Sequence, residues 1–349
     1  MTTNTTTANT ANLPTAERDR LAYEYRRAGH AWARVALLLG YANESSARTA
    51  GNRHAARIGE AHGHVANRAT RRTQTRATRT RTFGVEIEFI DGGNRTATKM
   101  AVARAIADAV YPGAAPCSAY GIHIAGYHGS TCRGCSGRIT HRTWHVESDA
   151  SVDSRGDLGG EAVSPVLTGE TGIEEMKVVM QAIKSVGAAV DTRCGMHVHV
   201  GADRMTNAQR ANVIETLFAH HGVLDRVVAP SRRNNHYCAK PSAPEITQWA
   251  NAMRATGQFG YANRYKSINV TSFAKYGTIE VRYHQGTLNG RKAAAWVRLL
   301  IGLFDTCAKD EADRLAPGLA LFGSLAEIGA LPQQDAAYLI ARAETLATR

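Results

Sequence analysis

The chain has 349 residues, 44% of them hydrophobic and 21% charged, which is ordinary for a globular protein and too long for one small domain. No apolar run approaches the length of a membrane span, and the polar start MTTNTTTANTAN lacks the order of a secretory signal, so we expect a cytoplasmic protein. The net charge of +12 is uneven: residues 1–82 hold 14 Lys and Arg against 5 Asp and Glu, and the remainder holds 28 against 25, which predicts a basic N-terminal unit before a nearly neutral domain.

The pattern of the first 62 residues predicts a tail followed by a small helical unit. Residues 1–13 are rich in Thr and Asn and predict a disordered tail. Residues 14–62 predict a unit of short helices: one begins after Pro14, one covers HAWARVALLLG and ends at Gly40, and one begins near Glu44.

The last two of these helices resemble a helix-turn-helix unit of a type frequent in bacterial and phage proteins. The final helix would display Arg48, Arg53 and Arg57, which predicts contact with DNA. Nine arginines lie between Arg48 and Arg81 with only Glu60 opposing them, and residues 63–81 predict a flexible Arg/Thr-rich linker. The alternative is a helical hairpin that serves oligomerisation, followed by a solvated linker.

From residue 82 to residue 349 the pattern changes to one larger α+β domain. Four runs have the alternation of strands, namely FGVEIEF, WHVES, GMHVHVG and GTIEVRYH. Four longer stretches have helical spacing, namely TATKMAVARAIADAV, TGIEEMKVVMQAIKSVG, TNAQRANVIETLFAHHGVL and GRKAAAWVRLLIGLFDTCAK, and the chain is helical again from about Leu315. We therefore expect a mostly antiparallel sheet with helices packed on one face.

Six scattered cysteines do not suggest a disulfide framework. The stretch HGSTCRGCSGR holds Cys132 and Cys135 two residues apart, with Cys117 nearby and His123, His128 and His141 as further candidate ligands. One interpretation is a structural zinc site; the other is a Gly-rich loop with two ordinary thiols, because no second pair of the same spacing exists.

The predicted strands share an unusual design, in which charged groups alternate with apolar ones. Glu86 and Glu88 share a face, as do His197 and His199, and as do Glu280 and Arg282. Each pair alone fits a solvated face of an antiparallel sheet. Together they predict a cluster of carboxylates that needs cations, and oxygen-rich sites suit Mg²⁺ or Mn²⁺.

Six motifs in order resemble the amidoligase family, whose catalytic fold is that of glutamine synthetase and glutamate–cysteine ligase. They are FGVEIEF, WHVESDASV, GGEAVSPVL, CGMHVHVG, NRYKSINV and GTIEVRYHQGTLN, and the resemblance covers Phe83 to about Arg349. It implies ATP- and Mg²⁺-dependent joining of a carboxylate to an amine through an acyl phosphate, and a sheet of the glutamine synthetase type.

The resemblance also implies roles for individual residues. The implied metal ligands are Glu86, Glu88, Glu161, His197 and Glu280. Arg282 resembles the arginine that contacts phosphates, Arg264 is a second phosphate candidate, and Asp149 matches a recurrent acidic position among the implied catalytic residues. His199, Arg282 and Asn269 are the implied nucleotide-side residues.

Three hypotheses follow from these observations. The first is an amidoligase whose substrates bear an amine and a carboxylate, on a small molecule, a peptide, a protein or a modified nucleotide, with DNA as a partner of the N-terminal unit. The second is a DNA-binding regulator whose ligase-like domain senses a nucleotide or an amino acid without turnover. The third is a related phosphotransferase.

Overall fold

The fold is an α+β arrangement in a computed structural model. The structure describes residues 14–27, 32, 35–36, 39–57, 81–111, 123–124, 131–132, 139, 143–149, 151–152 and 158–347. These residues fall into two compact units, one within Met1–Thr80 and Ala107–Gly121 and the other within Arg81–Ile106 and Ile122–Arg349. The predicted tail 1–13 and residues 63–80 of the predicted linker lie outside the described residues. Arg81, the last residue of that linker, donates hydrogen bonds to Asp305 Oδ1 and to the carbonyl of Gly201, both at 2.6 Å.

The described residues of the N-terminal unit include two helices, α1 (Thr15–Arg27) and α2 (Glu44–Arg57). Asn43 caps α2, since its side-chain oxygen accepts from the backbone N–H of Ser46 at 2.9 Å, and α2 begins at Glu44 as expected. Gly40 has φ +67°, and the N–H of Tyr41 donates to the carbonyl of Ala36, which is the usual pattern at a glycine that ends a helix. The small core of the unit consists of Ala22, Val35, Ala36, Leu39, Ala47 and Ala50.

The three arginines predicted to contact DNA all lie on α2, and each is bonded to a carboxylate of the unit. Arg48 pairs with Glu44 at 2.9 Å, and Arg53 and Arg57 both pair with Asp19, a residue of α1 that is fully buried. A buried carboxylate needs such partners, so these two arginines fasten α2 to α1. The DNA contact stays a prediction.

The larger unit contains a nine-stranded sheet among its described residues. The strands are β1 (Thr82–Asp91), β2 (His123–Ile124), β3 (His145–Glu147), β4 (Gly160–Val163), β5 (Leu167–Thr168), β6 (Ala188–Ala189), β7 (Gly195–Gly201), β8 (Ile268–Asn269) and β9 (Thr278–Gln285). Their order is β2-β3-β4-β1-β7-β9-β8, and β5 and β6 pair with β1. All described pairs are antiparallel except β2 with β3, so the predicted mostly antiparallel sheet is confirmed.

The remaining described α-helices follow the predicted order, except that one predicted helix is broken in two and three helices, α7, α8 and α9, were not predicted. They are α3 (Lys99–Val110), α4 (Gly169–Ser185), α5 (Asn207–Ala219), α6 (His221–Val227), α7 (Pro230–Arg233), α8 (Ala243–Thr256), α9 (Ser272–Tyr276), α10 (Gly290–Ala308), α11 (Ala320–Glu327) and α12 (Gln333–Ala347). The single helix predicted over TNAQRANVIETLFAHHGVL is wrong, because the chain breaks at His220 and forms α5 and α6. Helix α8 was not predicted, although Ser242 forms a capping box with Glu245 and Gly257 ends the helix at φ +75°.

The side chains of strand β1 alternate between an apolar face and a polar face of the sheet. Val85, Ile87 and Phe89 are at most 1% exposed on one face. Helix α4 packs on that face so closely that a Cβ added at Gly172 would lie 3.3 Å from the ring of Phe83. Because the apolar side chains fill this face, the alternating Glu86 and Glu88 point to the opposite one. Among the described helices, none combines the length and the apolar composition that a membrane span requires.

We expect the apolar face of β1 to carry a large share of the stability. Replacing Ile87, which is fully buried, by Ala should lower the free energy of unfolding by about 2–5 kcal/mol, because the side chain leaves a cavity between packed layers. Val166→Ala is the matched control, since Val166 is 68% exposed, and it should change that free energy by less than about 0.5 kcal/mol. Urea unfolding measures both, and equal midpoints for the two variants would contradict the central position of β1.

Candidate active site

The polar face of the sheet gathers four carboxylates around one imidazole. His197 Nδ1 lies 2.8 Å from Glu86 Oε2, 3.7 Å from Glu280 Oε1 and 3.9 Å from Glu161 Oε1, and His197 Nε2 lies 3.4 Å from Glu88 Oε1. All five residues were predicted as metal ligands from the sequence. The structure thus brings the whole predicted set together.

Strand pairing explains why these side chains meet. Glu88 of β1 lies directly opposite Glu161 of β4, and Glu86 lies opposite His197 of β7. Residues that lie opposite each other in an antiparallel pair have neighbouring side chains on the same face. The register therefore forces Glu88 and Glu161 together although like charges repel.

A second group extends the site toward β8 and β9. His199 lies opposite Glu280, with its Nε2 3.0 Å from Glu86 Oε1 and 3.8 Å from Glu280 Oε2. The carboxylate of Glu280 also accepts hydrogen bonds from Arg282 and from Asn269, both at 2.6 Å. Arg282 and Asn269 are thereby fixed beside the carboxylates, and their contacts with phosphate and nucleotide stay predictions.

Burial and mutual repulsion raise the pKa of two of the carboxyls. Desolvation raises the pKa of Glu88, and desolvation together with the charges of Glu86 and Glu88 raises the pKa of Glu161 well above its usual value. Burial also raises the pKa of Glu86, but the adjacent His199 and His197 outweigh it and hold that pKa well below the usual range. The site therefore favours charge at Glu86 and opposes it at Glu161.

The neighbouring carboxylates also raise the pKa of the two cationic partners, which favours their charged forms. Burial lowers the pKa of His199, but Glu280 and Glu86 reverse this and leave it raised. The same two carboxylates raise the pKa of Arg282 against the effect of its burial, so Arg282 stays charged.

These residues fit a divalent cation. Two groups of three have ligand atoms within 4.8 Å of one another, Glu86 with His199 and Glu280, and Glu86 with Glu161 and His197. Glu161 Oε1 is buried without a hydrogen-bond partner among the described residues, which is costly unless a cation or a proton satisfies it. A donor set of four carboxylates with imidazole suits Mg²⁺ or Mn²⁺.

The cluster opens into a cavity of about 660 Å³, a usual size for a ligand site. Arg264 and Asp149, predicted as catalytic, both line it, and Asp149 accepts the backbone N–H of Ser151 at 2.6 Å. Its described walls consist of Glu86, Ile139, His145, Glu147, Asp149, Glu161, Val163, His197, His199, Arg264, Asn269, Thr271, Ser272, Lys275, Tyr276, Glu280 and Arg282. Glu88 lies behind this lining, where its Oε2 accepts the N–H of Gly195 at 2.6 Å.

Lys275, Tyr276 and Arg232 are among the residues of this region that the sequence did not predict. Lys275 and Tyr276 line the cavity from α9, a helix of five residues that is too short to be recognised by spacing. Arg232 is a buried arginine on α7 whose Nη2 donates to the carbonyl of Arg282 at 3.0 Å. The only local pattern at Arg232 is the sequence SRR after a proline. That pattern predicts an exposed helix start and does not indicate a buried arginine.

The predicted zinc ligands are mostly outside the described residues. Cys117, Cys135, His128 and His141 lie there, whereas Cys132 is buried and its Sγ accepts the N–H of Ile124 at 3.4 Å. The zinc site stays a prediction.

Comparisons with known proteins give one family. The family model described as "Putative amidoligase enzyme" matches residues 79–304. No curated protein matches the chain. The solved structures that match include a bifunctional glutathione synthetase from Pasteurella multocida, with 10% identity and a TM-score of 0.38 over 77% of this chain. The match covers 47% of that protein, so the chain spans about half of its length.

Divalent cations should stabilise the protein through these carboxylates. Mn²⁺ should raise the melting temperature of EDTA-treated protein, because it binds the folded cluster. Glu161→Gln should weaken Mn²⁺ binding at least about tenfold, measured by calorimetry or by electron paramagnetic resonance. The matched control is Glu174→Gln, an exposed carboxylate of α4, and equal affinities in the two variants would show that Glu161 is not a ligand.

In the metal-free protein, the contribution of Glu161 to the free energy of unfolding should fall as the pH rises. The pKa of Glu161 is raised above its ordinary value of 4.5 in the folded state, so the unfolded chain gives up this proton first. The contribution of Glu161 to the free energy of unfolding is therefore fully present below its unfolded-state pKa, and it is lost as the pH rises through the pKa of the folded state. In EDTA, Glu161→Gln should become more stable than the wild type as pH rises, and Glu174→Gln should not; parallel curves from urea unfolding would contradict the buried repulsion.

Proposed function

Because this chain belongs to the amidoligase family, we propose that it joins a carboxylate to an amine in a reaction that consumes ATP bound with Mg²⁺. The observation that carries the proposal is the convergence of Glu86, Glu88, Glu161 and Glu280 on His197 at one end of a cavity large enough for a nucleotide. Structural zinc centres use thiolate and imidazole ligands, whereas this donor set suits the metals that accompany phosphates.

The proposed reaction has two displacements. An oxygen of the substrate carboxylate attacks the γ-phosphorus of ATP, and ADP leaves with the bridging electron pair. The amine nitrogen then attacks the acyl carbon, phosphate leaves, and the amine loses a proton. Bound Mg²⁺ would neutralise phosphate charge and align the attacking and leaving oxygens.

Residues of this chain would divide those tasks between two parts of the cavity. Arg282 and Arg264 would contact phosphate oxygens, since guanidinium groups form charge-assisted hydrogen bonds with them. Glu280 fixes Arg282 at 2.6 Å and thereby sets its direction. Glu147 and Asp149 line another part of the cavity and would attract a cationic amine.

We propose further that the sheet is of the glutamine synthetase type. Support comes from the central placement of the VEIE strand β1, with the HVH strand β7 and the EVR strand β9 next to it in that order. The N-terminal unit would add DNA as a partner through Arg48, Arg53 and Arg57, which would have to exchange their carboxylates for phosphates. A truncation that starts at Thr82 should keep ligase activity and lose salt-sensitive DNA binding.

Turnover assays separate the hypotheses. With ATP, Mg²⁺ and pooled carboxylates and amines, a ligase releases ADP and phosphate, and mass spectrometry finds a product equal to two substrates minus one water. Substrate labelled with ¹⁸O in its carboxylate should pass the label to phosphate. A stable phosphorylated product would indicate a phosphotransferase, and nucleotide binding without turnover would indicate a sensor.

Two variants test the roles of the site residues. Glu280→Gln and Arg282→Lys should each reduce turnover by about 100-fold or more. Glu280→Gln removes a negative charge from the carboxylate cluster, whereas Arg282→Lys keeps the positive charge but loses the planar guanidinium that would donate paired hydrogen bonds to phosphate oxygens. Glu174→Gln should turn over like the wild type. Wild-type rates in Glu280→Gln would contradict the proposed site.

A further inference from the structure

The sequence beside the cavity is strongly basic, although the larger domain as a whole is nearly neutral. Residues 226–279 contain eight Lys and Arg and a single acidic residue, Glu245. Glu245 is bonded to Lys266 at 2.8 Å. Lys240 and Lys275 have no carboxylate partner among the described residues, so their charge is available to a ligand.

The same segment carries exposed tyrosines. Seven large hydrophobic side chains are exposed among the described residues, and four of them are Tyr237, Tyr261, Tyr265 and Tyr276, with Tyr261 at 88%. Large apolar side chains grouped at the surface commonly mark an interaction site, and tyrosine and arginine are enriched in such sites. We call this group, with Arg264, Lys240 and Lys275, the tyrosine rim.

Backbone pairing holds part of the tyrosine rim in place. The N–H of Ala239 donates to the carbonyl of Tyr265 at 3.0 Å, and the N–H of Ser267 donates to the carbonyl of Ala239 at 2.9 Å. This pairing places the ring of Tyr237 6.0 Å from that of Tyr265 in an edge-to-face arrangement. The rings are therefore presented in a fixed geometry before any ligand binds, which reduces the entropy cost of binding.

The tyrosine rim is continuous with the cavity. Arg264, Lys275 and Tyr276 line the cavity, and the Lys275 ammonium lies 4.7 Å from the ring centre of Tyr276. A second pocket of about 310 Å³, lined by Phe259, Tyr261 and Phe273 among others, shares Thr271 with the cavity. A chain lying on the rim could place one apolar side chain in this pocket while another group enters the cavity.

We infer that the tyrosine rim binds an acidic peptide segment, which delivers the carboxylate that the cavity activates. The inference rests on the proposed function, because a ligase requires a carboxylate and an acidic peptide supplies several. The excess of cations over acids in residues 226–279 complements such a segment, and the exposed rings pack against its backbone and apolar side chains. Single-stranded nucleic acid would also suit aromatic and basic groups, but it offers no carboxylate to activate.

Fluorescence anisotropy with the full chain tests this directly. The probe is a short fluorescein-labelled peptide of Glu and Gly with one central Leu, compared with the same peptide in which Gln replaces Glu and with oligo(dT) of equal length. The Glu peptide should bind most tightly, and its affinity should fall with added salt. The double variant Tyr237→Ala, Tyr265→Ala should weaken it at least about fivefold, since both rings are lost from the surface.

Two controls separate ring packing from general effects. The double variant Tyr237→Phe, Tyr265→Phe keeps the rings and should bind like the wild type. Arg254→Ala removes a cation of the same basic segment that is already paired with Glu215, and it should also bind like the wild type. An unchanged dissociation constant in the double Ala variant, or tighter binding of oligo(dT) than of the Glu peptide, overturns the inference.

Cross-linking locates the peptide on the chain. A benzophenone in place of the central Leu should attach to residues 236–240 and 261–276, and attachment confined to the N-terminal arginines overturns the inference. Binding is measured without ATP, so a protein that lacks ligase turnover but binds the peptide through the rim refutes the proposed function and keeps the docking result. A protein that ligates small substrates but does not bind the peptide refutes the docking alone.

Discussion

The central constraint on this protein is the crowding of four carboxylates around His197 on one buried face of a sheet. Three of the four, Glu88, Glu161 and Glu280, are at most 4% exposed, and all four lie close to groups of the same charge, so the metal-free arrangement is unfavourable on both counts. The raised pKa of Glu161 is the direct sign of this, since burial and neighbouring carboxylates both oppose its ionisation. Such a cluster persists only because the rest of the fold holds the strands in register.

Apolar packing on the opposite face of the same strands holds them in register. Val85, Ile87 and Phe89 of β1 alternate with Glu86 and Glu88. The buried apolar side chains and the crowded carboxylates therefore share one rigid backbone. A helix or a loop would let the carboxylates move apart, whereas a central strand bonded on both sides cannot shift by one residue without exposing its entire apolar row. Stability and function are thus coupled through register, and the fold can tolerate an unfavourable site because its cost is offset on the opposite side of the sheet.

The sequence predicted which side chains share a face of a strand much better than it predicted which strands pair with each other. Alternation in FGVEIEF and GMHVHVG indicates which side chains share a face, because that depends only on local geometry. The pairing of Glu88 with Glu161 depends on register between strands about 70 residues apart, which no local pattern encodes. The alternating pairs predicted a carboxylate cluster, but the place of Glu161 in it followed only from the family resemblance. Lys275 and Tyr276 were missed for a related reason: their helix spans five residues and ends at Gly277 in a left-handed conformation, so its position is set by β9 rather than by periodicity. The break at His220 was missed because nothing in HH resembles a helix stop.

Charge is also arranged around the cavity, although the larger domain is nearly neutral. Glu147, Asp149 and Glu161 lie on or beside β3 and β4, on one side of β1, whereas Arg264 and Lys275 flank β8 on the other side. Arg282, bonded to Glu280, lies on β9 between them. A cavity with low-dielectric walls and charge of opposite sign at its two parts orients a ligand that carries both signs, because each end is repelled by the wrong part. The basic part is the one that continues outward into the tyrosine rim. An anionic substrate that approaches over this surface is therefore attracted at every stage, while a cationic one is attracted only by the acidic part inside the cavity. In the proposed ligase reaction, charge would then distinguish the entry of the two substrates before any specific contact forms.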